Sequence, residues 1–442
     1  STDSLFQLIH SLQKSEKRNF KLYVKRNSSN NDLKVVQLFD VIDKMTNYDE
    51  NVLIQKTSSI KKQQLPNIKA HLYRQILASL RLLESSENID IELHEQLDFA
   101  RILYNKGLYH QSLKILERIK EIAAANNQIH FQVEVLIIEK KIETLHITRS
   151  MQDRADELSR SVDDSNVQLV KQSKLSNLAL QLYSWYIKNG LARNQEDEKE
   201  IENYFQENLT EEIKYPEGFY EKLYYHQSYC WFAFIRQDYL MYYRHTQKWV
   251  DLFTEAPAMI QIETGNYIKG LHNLLNAHFN TRNYPGFEKT LLLFEEFSNS
   301  DVVRLNDNNK IQVFVYLYIA KINQHFLEGT FKEGLEIVDD IMQRLEEYNL
   351  FLDKHRTLIF YYKIASLYFG AGDFGNAIDY LNKIINWKVN LRNDLQCYAR
   401  LLHLIAHYEL GNFQLLEYLI KTVYRFMAKM QNLSLVEEEI FK

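Results

Sequence analysis

Proline and glycine are scarce in this chain, with four prolines and twelve glycines among 442 residues. A β-sandwich or a βαβ protein of this length needs many more turn-forming residues, so the composition argues against both classes. Long helices that are joined by short turns need few such residues. We therefore predict an all-α protein.

Cysteine and long apolar runs are also nearly absent. Cys230 and Cys397 are the only cysteines and form no CxxC pair, which excludes a disulfide framework and favours a reducing compartment. The first residues lack the charged and apolar regions of a signal peptide, and no uncharged apolar window reaches ~18 residues. We expect a cytoplasmic protein with no membrane span. The abundance of Asn and Lys indicates an AT-rich, bacterial coding sequence.

Charge is distributed unevenly along the chain. Residues 1–81 contain 14 Lys and Arg against 7 Asp and Glu, a net charge of +7. Because the whole chain carries -5, the remainder carries -12. Such an asymmetry predicts two regions with different roles. We assign a basic helical domain to residues 1–90 and a second domain to residues 91–442.

The N-terminal region shows helical periodicity without a repeat. The predicted helices are 3–12, 15–26 with Ser15 as N-cap, 33–46, 49–57 and 66–84. Residues 84–88 read as the linker to the second domain. The segment 33–57 has the layout of a helix-turn-helix, although its turn contains no glycine and its second helix has few basic residues.

From about residue 92 onward, a helix-turn-helix unit recurs eight times, most clearly at 364–384. The aligned turns fall on Gly107, Ser150, Gly190, Gln237, Arg282, Gly329, Gly372 and Gly411, at spacings of roughly 40 to 47 residues. An aromatic or large apolar residue commonly follows two places later, as at Tyr109, Tyr239, Tyr284, Phe331, Phe374 and Phe413. One such pair cannot bury its apolar face alone, so copies must stack. This pattern predicts about eight stacked helix pairs, with a hinge at 193–218 where the pattern is interrupted.

These units resemble the tetratricopeptide repeat. The matching residues of the seventh unit are Tyr361, Ile364, Ala365, Tyr368, Gly372, Asp373, Phe374, Ala377, Leu381 and Ile384. The first unit matches at Phe99, Ala100, Gly107, Tyr109, Ser112 and Ile119, and the sixth at Gly329, Phe331, Gly334 and Ile341. The resemblance implies a right-handed α-solenoid whose concave face binds peptides or proteins. The spacing exceeds the roughly 34 residues of the standard repeat, which predicts longer helices.

Two motifs that elsewhere carry chemistry have a structural interpretation here. Residues 370–375 spell GxGxxG, but a helical pattern precedes them where a dinucleotide site needs a strand. His403 and His407 have the i,i+4 spacing of zinc ligands, but the glutamate of HExxH is missing. We interpret them as packed histidines. We therefore expect no enzyme activity, no cofactor and no metal.

A basic stripe marks the second predicted helix. Its members recur at three- and four-residue steps: Lys14, Lys17, Arg18, Lys21 and Lys25. The stripe is suited to contact with nucleic-acid phosphates, an anionic surface or an acidic partner. A solvated helix face produces the same pattern, and we take that as the default interpretation.

The first helices of the repeats carry the candidate partner-binding residues. The face expected to be concave presents His272, Asn276 and Phe279 in the fifth unit and Ile319, Asn323 and Phe326 in the sixth, with Lys269 two turns before Asn276. Tyr224, Trp231 and Phe234 share this register in the fourth unit. Stacked carboxamides are able to hold a peptide backbone, and aromatic rings are able to anchor it. Asparagine that bonds a neighbouring helix is the competing interpretation.

The resulting functional hypothesis is a non-catalytic adaptor or scaffold that holds a peptide or protein in its concave face. The alternative is a transcriptional or RNA-linked regulator. In that case the N-terminal domain binds nucleic acid and the repeat domain senses a protein or another ligand.

Overall fold

The computed structural model describes residues 3–26, 32–57, 60–84, 88–146, 152–387 and 393–429. All regular secondary structure within these ranges is helical, which confirms the all-α prediction. The helices are α1 (Ser4–Ser11), α2 (Lys14–Arg26), α3 (Asp32–Asp43), α4 (Glu50–Lys56), α5 (Leu65–Glu84), α6 (Ile89–Asn105), α7 (Tyr109–Ala125), α8 (Ile129–Leu145), α9 (Gln152–Asn189), α10 (Gln195–Asn208), α11 (Phe219–Ile235), α12 (Tyr239–Glu255), α13 (Ala258–Ile262), α14 (Thr264–Asn280), α15 (Tyr284–Ser298), α16 (Asp301–Arg304), α17 (Asp307–Glu328), α18 (Phe331–Gly334), α19 (Val338–Glu347), α20 (Lys354–Gly370), α21 (Phe374–Ile385), α22 (Asn393–Glu409) and α23 (Phe413–Lys429). Short 3₁₀ helices lie at Lys62–Gln64 and Leu335–Ile337.

The five helices predicted near the N-terminus are all present, with ends that differ by at most a few residues. The N-cap assignment of Ser15 is wrong, because α2 already begins at Lys14. The free N–H of Gln13 instead donates to the carboxylate of Glu16 at 2.6 Å, as in the reciprocal half of a capping box. Residues 85–87 of the predicted linker lie outside the described residues.

The predicted turns are confirmed wherever the structure describes them. Seven of the aligned turn residues have left-handed backbone, with φ of 75° at Gly107, 81° at Gly190, 61° at Gln237, 52° at Arg282, 72° at Gly329, 81° at Gly372 and 74° at Gly411. Glycine adopts this conformation without a Cβ clash, which explains why five of the seven positions carry it. Ser150 lies outside the described residues.

The residue after the turn starts the second helix by a shared capping arrangement. Asp238, Asn283 and Asp373 each accept a hydrogen bond from the backbone N–H three residues later, at 3.0, 3.2 and 3.1 Å. Each satisfies one of the N–H groups that a helix start leaves unpaired. The aromatic residue noted in the repeat is the first residue of the helix that follows, as Tyr239 is of α12.

The structure departs from the repeat alignment between residues 124 and 190. The alignment implies a break between the second helix of the second unit and the first helix of the third, but α9 runs through 38 residues without one. Its sequence contains no glycine or proline, so nothing in it interrupts the helical hydrogen bonds. In addition, Asn127 has a φ of 59° between α7 and α8, a turn that the alignment does not include.

A packed helix occupies most of the predicted hinge at 193–218. Helix α10 buries Ile201 and Phe205, and the Phe205 ring stacks on Phe232 of α11 at 4.1 Å between centroids. The hinge stays a prediction, since a packed helix and a hinge at its ends are compatible.

The contacts divide the chain into two compact units, 1–123 with 134–150, and 124–133 with 151–442. The first contains an apolar core around Phe20, Leu38, Phe39 and Ile76. In the second, α14 packs on both α15 and α17, and α17 packs on α20. The first helices of successive pairs therefore lie side by side, which places the candidate residues on neighbouring helices.

Candidate partner-binding face

In the second compact unit, several candidate residues share a register on successive first helices with Tyr316, which the sequence prediction did not include. Tyr224, Lys269 and Tyr316 each lie thirteen positions before the left-handed residue that follows their helix (237, 282 and 329). Trp231, Asn276 and Asn323 each lie six positions before it. Residues that are seven positions apart lie on the same side of a helix. The two residues that each helix contributes, such as Lys269 and Asn276 of α14, therefore lie on one face.

Lys269 lies against two aromatic rings. Its Nζ is 4.9 Å from the ring centre of Tyr183 on α9 and 5.4 Å from that of Trp231 on α11. Both distances are in the range of a cation–π interaction. Burial, followed by the positive charge of Arg356, lowers the pKa of Lys269 to about 8. Lys269 as a residue is nevertheless partly exposed.

His272, one turn after Lys269, is held in its neutral form. Burial first, and then the charges of Arg356, Lys363 and Lys269, lower its pKa to about 3. Its Nε2 lies 3.0 Å from Nδ2 of Asn276. Because an amide nitrogen only donates, Nε2 is the acceptor and the ring proton lies on Nδ1.

Arg356 of α20 stacks on the same tyrosine as His272. The guanidinium lies 4.8 Å from the ring centre of Tyr316 and donates to its hydroxyl at 2.9 Å. The imidazole of His272 is 4.3 Å from that ring between centroids. Tyr316 thus brings together side chains from α14 and α20.

Lys363, two turns after Arg356 on α20, donates to Oδ1 of Asn323 at 2.6 Å. Its Nζ also lies 5.4 Å from the ring centre of Phe326. Burial lowers the pKa of Lys363 to about 8. Asn323 is only 2% exposed, so its carboxamide is used inside the protein.

We call Lys269, His272, Arg356 and Lys363 the basic cluster. Within the described residues, no carboxylate lies within 4.0 Å of its two lysines or its arginine. Aromatic faces and neutral oxygens hold these cations in place of counter-ions. Because His272 is neutral, the positive charge of the cluster comes from Lys269, Arg356 and Lys363.

The sequence prediction included Lys269, His272, Asn276, Asn323, Phe326 and Trp231 of this region. It missed Tyr183, Tyr316, Arg356 and Lys363. The seven-residue spacing of Arg356 and Lys363 on a first helix was an available signal for a shared face. Their convergence with Lys269 depends on how α14, α17 and α20 pack, which the spacing does not give.

Three other predicted residues contact neighbouring apolar or aromatic side chains. Phe279 is partly buried against the core of the second unit. Phe234 contacts the rings of Tyr186 and Tyr242 at 5.4 and 5.1 Å. Tyr224 is partly exposed and stacks on Tyr220 at 6.3 Å.

The basic stripe of α2 is partly neutralised. Lys17 pairs with Asp43 at 2.6 Å and Lys21 with Asp40 at 2.7 Å, both on α3. The remaining members Lys14, Arg18 and Lys25 are exposed. The five cations and Leu22 line a recess of about 380 Å³.

The GxGxxG motif and the His403–His407 pair both lie in ordinary helix-and-turn structure. Gly370 ends α20, and Gly372 is the left-handed turn residue, with no strand before them in the described chain. The rings of His403 and His407 lie 4.5 Å apart, and burial lowers the pKa of His403 to about 4. The described residues contain no group of three or more His, Cys, Asp or Glu that is placed to hold a metal ion.

Neither a known protein family nor any curated protein matches this sequence. Among the described helices, none combines the length and the apolar character that crossing a membrane requires.

Proposed function

We propose that this protein is a non-catalytic, cytoplasmic adaptor or scaffold that holds a peptide or protein segment against its first helices. One observation carries the proposal. Helices α11 and α14 present an aromatic, a cationic and a carboxamide group at repeat-related positions of a shared face, namely Trp231, Lys269 and Asn276. A row of preformed side chains at repeat spacing suits an extended ligand.

The contacts of the two asparagines suggest different roles for them in binding. Asn276 is partly exposed beside His272, so we assign it to the peptide backbone. Asn323 is buried and accepts from Lys363, so we assign it to positioning that lysine. Trp231 is partly exposed beside Lys269 and serves as the aromatic anchor.

The test is capture of partners by the tagged full-length protein from its native cells, with nuclease, followed by mass spectrometry. Trp231→Ala together with Asn276→Ala should remove at least one partner that the unchanged protein captures. Asn382→Ala, a partly exposed asparagine on the second helix α21, is the matched control and should retain it. Equal partner lists for all three proteins contradict the proposal.

The second candidate is a nucleic-acid-binding regulator, favoured by the exposed cations Lys14, Arg18 and Lys25 around one recess. Replacing these three with Glu leaves the Lys17–Asp43 and Lys21–Asp40 pairs intact, so the fold of α2 on α3 is kept. Duplex DNA binding by the full chain should weaken with salt at a log–log slope of about -3 if three phosphates are contacted. Binding that the triple variant retains, or that salt does not weaken, eliminates this candidate.

A further inference from the structure

The basic cluster differs from several cations of the same unit that form ion pairs. On neighbouring surfaces, Lys321 pairs with Glu295 at 3.1 Å, Arg344 with Asp340 at 3.0 Å and Arg236 with Glu202 at 2.9 Å. Lys269, Arg356 and Lys363 have aromatic rings and neutral oxygens at the corresponding distances. Among the residues that the structure describes, these three cations therefore have no counter-ion within 4.0 Å on the face that we assign to ligand binding.

All three cations influence the imidazole of His272. His272 contacts Tyr316, which stacks with Arg356, and lies one turn after Lys269. The charges of Arg356, Lys363 and Lys269 all contribute to the lowered pKa of this imidazole. Because like charges that are partly removed from water repel one another, an anion that binds among them relieves an existing cost.

We propose that the basic cluster binds the dianion of a phosphate monoester, carried by the peptide segment of the proposed function, on which this inference rests. The charges favour a dianion, since one carboxylate compensates only one of the three cations. A phosphate also offers three terminal oxygens, enough for one hydrogen bond from each of Lys269, Arg356 and Lys363.

The surroundings of the cations suit this ligand. A hydrogen bond to Tyr316 and stacking on its ring fix the plane of the Arg356 guanidinium, and a fixed guanidinium is able to donate two parallel N–H groups to a phosphate. Asn323 fixes the ammonium of Lys363 in the same way. The site is therefore prepared before the ligand arrives, which lowers the entropic cost of binding.

The probes are three degenerate peptide mixtures with a fixed central phosphoserine, serine or glutamate, blocked at both ends so that terminal charges contribute nothing. Inorganic phosphate and phenyl phosphate are tested beside them. Binding to the full chain is measured by fluorescence polarisation and calorimetry at about 150 mM chloride, where non-specific attraction is screened. We expect the phosphoserine mixture to bind at least tenfold more tightly than the serine and glutamate mixtures.

Three variants connect that difference to the cluster. Lys269→Met and Arg356→Gln should each weaken phosphopeptide binding about tenfold or more, the size expected for a charged hydrogen bond. Arg356→Lys keeps the charge but loses the planar fork and should give a smaller loss. Lys321→Met removes a lysine that is paired with Glu295 and should leave binding unchanged. Thermal unfolding without phosphate verifies that every variant is folded.

The outcomes separate this inference from the proposed function. Equal binding of the phosphoserine and serine mixtures, sensitive to Trp231→Ala, overturns the inference and leaves peptide binding in place. Binding of phenyl phosphate with no gain from the peptide supports the anion site and contradicts the peptide function. Preference for the glutamate mixture assigns the cluster to acidic peptides and overturns the phosphate assignment.

Discussion

Lys363 donates to Oδ1 of Asn323 across 2.6 Å and joins α20 to α17, and no carboxylate of the described chain pairs with this lysine. The sequence left two roles open for Asn323, contact with a ligand and a hydrogen bond to a neighbouring helix. In the structure Asn323 is buried and accepts the hydrogen bond from Lys363, which agrees with the second role. The residue belongs to the candidate site, but it acts through its neighbour.

This bond predicts a coupling between the two positions. Asn323→Ala should lower the free energy of unfolding by about 1–3 kcal/mol, because it leaves a half-buried ammonium without its acceptor. Lys363→Met should cost less, and the double variant should be more stable than the sum of the single effects predicts. Urea denaturation of the four proteins measures the coupling. Simple additivity would show that the bond does not contribute.

The lowered pKa of Lys269 predicts a pH-dependent stability difference. Its pKa is about 8 in the folded chain against the ordinary 10.5. Below pH 8 the lysine is charged in both states, and the folded state bears the full cost. Between about pH 8 and 10.5 the unfolded chain holds more protons, so this cost disappears as pH rises.

Lys269→Met should therefore stabilise the protein near pH 7 by up to about 1 kcal/mol, with partial exposure reducing the effect, and by nothing near pH 10. Denaturation of the variant and the unchanged protein in phosphate-free buffer at both pH values measures the difference. Lys321→Met serves as the control lysine. An advantage of Lys269→Met that is constant across this pH range would contradict the assigned cause.

The left-handed turns predict opposite effects for a matched pair of substitutions. Arg282 has a φ of 52°, where a Cβ is strained, so Arg282→Gly should raise the free energy of unfolding by about 0.5–1 kcal/mol. Gly372 has a φ of 81°, and an added Cβ would have no neighbour within 4 Å. Gly372→Ala should therefore lower the free energy of unfolding by about 1 kcal/mol through backbone strain alone. Thermal unfolding checks both signs.

The GxGxxG segment predicts a second contrast. A Cβ at Gly370 would overlap the ring of Phe331, whereas at Gly375 it would meet only Oδ1 of Asp373 at 3.8 Å. Gly370→Ala should destabilise the protein by about 1–3 kcal/mol through overpacking. Gly375→Ala, inside α21, should be neutral or stabilise it by up to about 1 kcal/mol. If both glycines tolerate alanine equally, the packing explanation for Gly370 is wrong.

The parts of the fold that depend on local chemistry follow from the sequence. The turn at Gly372 needs a residue that tolerates left-handed backbone, and Asp373 caps the helix that follows. Both requirements are met within a few residues, so they appear as a repeating pattern. Even Gln237 and Arg282 were located, because the helices on either side define the turn.

Longer-range features required the packed structure. The continuity of α9 through 38 residues contradicts the alignment. The repeat match is weak there, and the segment contains no glycine or proline that would end a helix. Arg356 and Lys363 were missed because only the packing of α20 on α17 brings them to Tyr316 and Asn323.

The sequence by itself determined the helical class, the positions of the described repeat turns and the face that carries Lys269, Asn276 and Trp231. Tertiary structure decided which cations bond to Tyr316 and Asn323 and which asparagine is buried. The physical reason is range: turns and caps form between residues that are near in sequence, whereas desolvation and charge repulsion depend on groups that meet only when separate helices pack.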